Sequence, residues 1–199
     1  MPALLRSLIA QVPPGRVTTC GALAAALGNP IAARWVGHFL LHHEHDAACP
    51  CHRVVLAGGE LGSYVGGQAG AKARLLRSEG VPVRGAAIEL DQYGWTQFVG
   101  QRPLERLGQI QEAIVARAVV RPRRRMPKLV GGVDVAYGGE DRAAAALAVV
   151  ETESGRLVWS TTLLGRVRFP YITSISASAN CRYWWSCSTR SAPRAGCPR

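Results

Sequence analysis

The sequence contains no apolar run long enough to cross a membrane, which excludes a helical span and a membrane partner. It has no good secretory leader either. Met1–Arg6 carries one basic residue, and the apolar stretch that follows is broken by Pro13 and Pro14, so a cytoplasmic chain is expected. Acidic residues are scarce, 13 against 24 Lys and Arg, and none follows Glu153. The resulting net charge of +11 favours a polyanion as partner, because each neutralised phosphate releases condensed counterions. At 48% apolar and 19% charged residues the chain can build a core, which excludes wholesale disorder.

The charge is uneven. Residues 1–98 hold 8 Lys/Arg against 6 Asp/Glu, residues 99–171 hold 12 against 7, and residues 172–199 hold 4 against none. Most of the basicity therefore lies outside the part that carries the chemistry argued below. Six cysteines (Cys20, Cys49, Cys51, Cys181, Cys187 and Cys197) read in a reducing compartment as thiols, metal ligands or nucleophiles.

Three parts are distinguishable: 1–98, 99–172 and 173–199. In the first, Leu4–Val12 has helical apolar spacing and is stopped by Pro13-Pro14-Gly15. Thr19 stands where an N-cap belongs, before a helix from Cys20 to Leu27. Gly28-Asn29-Pro30 is a sharp turn, and a second helix over Ile31–Leu41 presents Ile31, Trp35, Val36 and Phe39 as its apolar face. Two short helices across such a turn predict a helix-turn-helix. Cys51–Val55 has β character, the glycines at 58–67 suggest a small wing, and Ala71–Arg77 forms a last helix. In the second part, a helix from Leu104 to Val120, a basic run over Arg121–Arg125 and strands near 129–137, 143–151 and 157–164 predict a β-meander after a helix. The first strand reads as buried and carries one carboxylate, Asp134. Residues 173–199 alternate Ser, Cys, Arg, Ala and Trp without a period and predict a disordered tail. The predicted fold class is α+β: a mainly helical winged helix-turn-helix domain, then an incomplete ribonuclease-H-like α/β fragment.

Chemistry gathers at Pro50-Cys51-His52-Arg53-Val54-Val55. A thiol is nucleophilic only as thiolate, so a reactive cysteine needs a base or a positive environment. His52 follows Cys51 directly, but neighbours on a strand point to opposite faces, so contact needs a bend or a bridging water. A small buried cysteine beside an incidental histidine reads equally from these two residues. A rival reading takes His42, His43, His45, Cys49, Cys51 and His52 as donors for zinc, against a solvated helix end whose imidazoles suit the C-terminal dipole. The spacing matches no strong metal pattern, and no metal ligand is assigned.

This hexapeptide resembles the O6-alkylguanine-DNA alkyltransferases. The likeness extends over Pro14-Gly15-Arg16-Val17, Gly28-Asn29-Pro30, Ala32-Ala33-Arg34, Val36-Gly37, Gly62-Ser63-Tyr64, Gly66-Gly67, Lys72, Leu75-Leu76 and Glu79-Gly80. It implies single, irreversible transfer of an alkyl group from O6-alkylguanine in duplex DNA to Cys51, without a cofactor, by a monomer. His52 would take the thiol proton through a water, Glu79 would orient His52, and Tyr64 would serve the departing guanine. Arg34 would fill the gap left by the flipped base. Thr19, Cys20, Gly28, Asn29, Ala32, Ala33 and Arg53 would complete the DNA contacts, and His43 would act as a hinge. Two positions depart from the family: Cys20 stands where Tyr is usual and His43 where Asn is usual. If they disable transfer, a non-catalytic sensor of alkylated bases remains.

Leu129–Tyr137, Ala143–Val150 and Phe169-Pro170-Tyr171-Ile172 resemble the start of endonuclease V. The resemblance implies that Asp134 is the first Mg²⁺ ligand and Tyr171 part of a strand-separating wedge. The match stops at Thr173, and one carboxylate cannot hold a hydrolytic metal, so no nuclease activity is expected.

Overall fold

The computed structural model describes residues 1–46, 48–65, 69–117, 126–138, 142–166, 169, 172 and 175. The basic run 121–125, Gly66, Gly67, Tyr171 and nearly all of 173–199 lie outside them. The chain divides into two compact units, with a boundary after Gln109.

The first unit is mainly helical. Helix α1 (Pro2–Ala10) begins with proline in its first turn, where a missing N–H costs nothing, and buries Leu5, Leu8 and Ile9. Strand β1 (Thr18–Thr19) leads into α2 (Cys20–Ala26), whose first turn is capped by Thr19 Oγ1 accepting from the Ala22 N–H at 3.1 Å. The chain then reverses at Gly28, at a φ of 99°. A Cβ there would lie 2.6 Å from the Glu105 nitrogen, so this turn needs glycine for its φ and for space. Asn29 Oδ1 accepts from the Ile31 N–H and opens a 3₁₀ turn, Pro30–Ala32, which runs into α3 (Ala33–His42). Val36 is buried on α3, whereas Ile31, expected on the apolar face, is exposed because the 3₁₀ winding rotates it away.

The segment around Cys51 is not a strand. Pro50–Arg53 winds as a second 3₁₀ turn, with proline at its start, and only Val54–Val55 is extended, as β2. Strand β2 pairs in parallel with β1, Thr18 opposite Val54 and Thr19 opposite Val55. Val55 then joins Val17, Leu61, Leu76, Val81 and Ile88 in one buried cluster. Helices α4 (Ala69–Ser78) and α5 (Leu90–Tyr93) follow. Among the described residues, the expected wing region shows isolated bridges, Glu60 with Ala87 and Arg84 with Ala87. This unit runs past residue 98 because the start of α6 (Pro103–Arg117) closes on it: Leu104 is buried and donates its N–H to Leu27 O at 3.0 Å.

The second unit contains a three-stranded antiparallel meander, β3 (Leu129–Gly138), β4 (Arg142–Glu151) and β5 (Leu157–Arg166), with β4 central and a register shift at Val149/Val150. Strand β3 was expected to be buried and is largely exposed. It lies on an edge of the described sheet, and only Val135 and Tyr137 on it pack against the buried pair Ala143 and Ala145. The architecture as a whole is α+β. No helix among the described residues is long and apolar enough to cross a membrane.

Candidate active site

Cys51 is the second residue of the Pro50–Arg53 turn and is 4% exposed. It lines a cavity of about 150 Å³ together with Cys20, Gly37, Leu40, Tyr64 and Lys72. Burial pushes the thiol up to about 12, and the neighbouring Cys49 adds to this, while Tyr64 and the Lys72 charge pull the other way. Tyr64 is likewise raised to about 12, chiefly by burial and then by Cys51. Lys72 is buried and lowered to about 8 by desolvation. Its Nζ donates to Val54 O at 2.6 Å and to Leu61 O, so it ties the strand after Cys51 to the loop before Tyr64. The sequence reading gave Lys72 no role. In sequence it is one of three cations on α4, with Arg74 and Arg77, and only the packing turns it into a brace.

Behind the turn lies a half-buried ionic cluster. His52 Nε2 donates to Glu79 Oε1 at 2.8 Å, and Arg53 meets the same carboxylate through Nε at 3.0 Å and Nη2 at 2.7 Å. Burial opposes ionisation of Glu79, but the bonds and charges of Arg53 and His52 outweigh it and hold the carboxyl below its ordinary range. The expected His52–Glu79 pairing is therefore present. Arg53 was expected on DNA, and its guanidinium is instead turned inward, with Nη1 donating to Val12 O at 2.6 Å. A fork this well matched to a carboxylate is spent on the fold.

The remaining expected DNA contacts divide by exposure. Arg34 is exposed at the start of α3. Thr19 and Asn29 cap the helices, Gly28 makes the turn, and Ala33 is half-buried. Ala32 is fully buried, so its side chain cannot reach a duplex. Cys20 is half-buried at the cavity wall, with its thiol raised by desolvation.

The loop before Cys51 departs most from expectation. His43 is buried, not a solvated helix end. It follows the last turn of α3, donates from Nδ1 to Leu40 O at 3.0 Å, and stacks on Phe39. Desolvation lowers its pKa. Its Nε2 lies 3.3 Å from Cys49 Sγ. His45 Nδ1 lies 3.4 Å from Cys51 Sγ, and its Nε2 lies 3.5 Å from the Tyr64 hydroxyl. The imidazole in direct reach of the Cys51 thiol is thus that of His45, six residues upstream. His42 stacks on His38 outside this group.

Residues 5–81 match the family model described as 6-O-methylguanine DNA methyltransferase, DNA binding domain, and residues 110–177 match the one described as Endonuclease V. Over 95 residues the chain is 37% identical to the DNA base-flipping protein of Escherichia coli, an alignment covering 47% of this chain and 73% of that relative. The chain belongs to the 6-O-methylguanine DNA methyltransferase family. The methyltransferase-family region is also 39% identical over 86 residues to the methylated-DNA–protein-cysteine methyltransferase of Cricetulus griseus, covering 43% of this chain and 41% of that one. A longer alignment, 34% identical over 168 residues, covers 84% of this chain and 54% of a bifunctional methyltransferase/endonuclease from Picrophilus torridus. The chain spans about half the length of that relative and of its Thermoplasma volcanium counterpart, at 54% and 51%.

In the endonuclease-like unit, Asp134 is exposed on β3 and its Oδ1 accepts from the Val135 N–H at 2.8 Å. Among the described residues no group of three or more acidic, His or Cys side chains includes it, so these residues alone do not fit a Mg²⁺ site. The sequence reading excluded nuclease activity on that ground. The exclusion does not stand, because relatives named for both activities align across this unit and make nuclease activity possible.

Proposed function

We propose that the protein repairs alkylated duplex DNA by direct transfer, with Cys51 Sγ taking the alkyl group from the O6 oxygen of a flipped guanine. The observation that carries this reading is the placement of Cys51. A buried thiol lines an apolar cavity beside Tyr64, on a turn anchored through His52 and Arg53 to Glu79.

The sulfur attacks the alkyl carbon, an S–C bond forms, and the C–O bond breaks with its electron pair going to the guanine. The thiol proton must leave as the sulfur attacks, since the thiol is held near 12, and a proton is returned to the guanine. His52, fixed by Glu79, removes it through a water, and Tyr64 hydrogen-bonds the departing base. Arg34, exposed on the second helix of the helix-turn-helix, fills the space the base vacates. The thioether does not reverse, so each molecule acts once. Likeness to methylated-DNA–protein-cysteine methyltransferases supports the reaction class.

A second reading is a sensor that binds and flips alkylated bases without accepting the group. Two observations favour it: the raised Cys51 thiol and the extensive likeness to a DNA base-flipping protein. Intact-mass analysis after incubation with a duplex containing O6-methylguanine separates the two. One added methyl group, mapped to Cys51 and absent from Cys51→Ala, is the expected result. An unchanged mass with the duplex still bound would replace transfer by sensing.

A further inference from the structure

His43 Nε2, His45 Nδ1, Cys49 Sγ and Cys51 Sγ all lie within 4.8 Å of one another. We propose that these four atoms form a site for a divalent cation of zinc type, and that metal and alkyl group compete for Cys51 Sγ. The competition rests on the transfer reading above, whereas the site itself does not.

The donor set is two thiols and two imidazoles, the composition of closed tetrahedral Zn²⁺ sites. A tetrahedral shell with Zn–S of about 2.3 Å and Zn–N of about 2.0–2.1 Å places its ligand atoms about 3.3–3.8 Å apart. Two of the pairs already stand at such separations, 3.3 Å for His43 with Cys49 and 3.4 Å for His45 with Cys51. The widest needs to close by about 1 Å.

The outer contacts point the same way. A ligating histidine usually donates its other ring N–H to an oxygen, which fixes both tautomer and ring plane. His43 does so through Nδ1 to Leu40 O, leaving Nε2 bare toward Cys49. His45 has the Tyr64 hydroxyl oxygen 3.5 Å from Nε2, a partner for the same donation once Nδ1 is given to a metal beside Cys51. At His43, metal entry requires no tautomer change. Each of these nitrogens now faces one thiol, and the exchange is balanced: two S–H protons leave, one doubly charged cation enters, and the net charge of this half-buried corner is unchanged.

Such a site uses all four positions, so a metal-bound Cys51 has no free approach for an alkyl carbon. Conversely, methylation of Cys51 turns a charged thiolate ligand into a neutral thioether and removes the site's strongest grip. The spacing His-x-His-x₃-Cys-x-Cys matches no common zinc motif, so the sequence alone gave it little weight.

The test titrates the reduced full-length chain with Co²⁺ and then Zn²⁺. The expected result is one Co²⁺ per chain with intense tetrahedral visible bands and a thiolate charge-transfer band, displaced by Zn²⁺ with release of two protons. His45→Ala, an exposed position whose loss leaves the core intact, and Cys49→Ser should each weaken binding at least tenfold. Transfer of methyl from a lesion duplex should be slowed at least tenfold by stoichiometric Zn²⁺ and restored by a chelator. Methylated protein should no longer hold the metal. Absence of tetrahedral bands, or bands unchanged in both variants, overturns the site. Equal transfer with and without bound Zn²⁺ overturns the competition. A metal-free protein that binds Co²⁺ as expected but accepts no methyl would sink the transfer reading and the competition while leaving the site standing.

Discussion

The Arg53 guanidinium and the Glu79 carboxylate meet side on, with Nε and Nη2 of one facing both oxygens of the other at 2.7–3.1 Å. His52 adds a third donor to the same carboxylate. Glu79 thus joins the end of α4 to the turn that carries Cys51, and it does so as the common acceptor of two consecutive residues. Removing it leaves a guanidinium and an imidazole without their partner in a largely buried position. Glu79→Ala should therefore lower the stability of the first unit by about 3 kcal/mol, in the range for breaking one side of a buried ion pair. Urea unfolding followed by tryptophan fluorescence measures it, and a loss below 1 kcal/mol would mean the cluster is solvated.

The same carboxylate sets an acid limit. Its folded pKa is depressed below the unfolded value, so its contribution is fully present above that value, about 4.3. The contribution is lost as pH falls through the lower folded pKa. Urea midpoints for the wild type should hold from pH 7 to pH 5 and fall below about pH 4, and the decline should be shallower in Glu79→Ala. Parallel declines would show that other carboxylates carry the acid transition.

Cys51 should be a poor nucleophile toward a general reagent. With its thiol near 12, the thiolate fraction rises about tenfold per pH unit through neutrality. In chelator-treated protein, carbamidomethylation mapped to Cys51 should therefore climb from pH 7 to pH 9 without levelling. A plateau near pH 7 would indicate a thiolate already formed at rest.

Gly28→Ala tests the turn of the helix-turn-helix. The position needs a left-handed φ and has the Glu105 backbone 2.6 Å from where a Cβ would stand. The substitution should destabilise the protein by more than about 1 kcal/mol, because strain and clash add. Thermal melting compared with Gly70→Ala, where nothing lies within 4 Å, provides the control.

Local chemistry made much of the molecule legible in advance. Thr19 as a cap, Gly28 as a reversal and the three strands of the meander follow from side-chain preferences that act over a few residues, and each stands where expected. The hexapeptide around Cys51 likewise stands out in the sequence, and in the fold it puts the thiol on the cavity wall. What failed was what depends on neighbours remote in sequence. The turn at Cys51 read as a strand because its residues favour extension, and Pro50 with the anchoring of His52 and Arg53 to Glu79 accompanies a 3₁₀ winding instead.

Residue type determined that this chain carries a thiol, imidazoles, an arginine fork and a carboxylate, and periodicity determined where the helices around them run. Only the tertiary structure decided their partners. Arg53 looked free for DNA until Glu79, 26 residues later, took it, and nothing set His45 apart from His42 until folding placed it beside Cys51. Burial and pairing are sums over contacts from the whole unit, and a linear sequence does not display that sum.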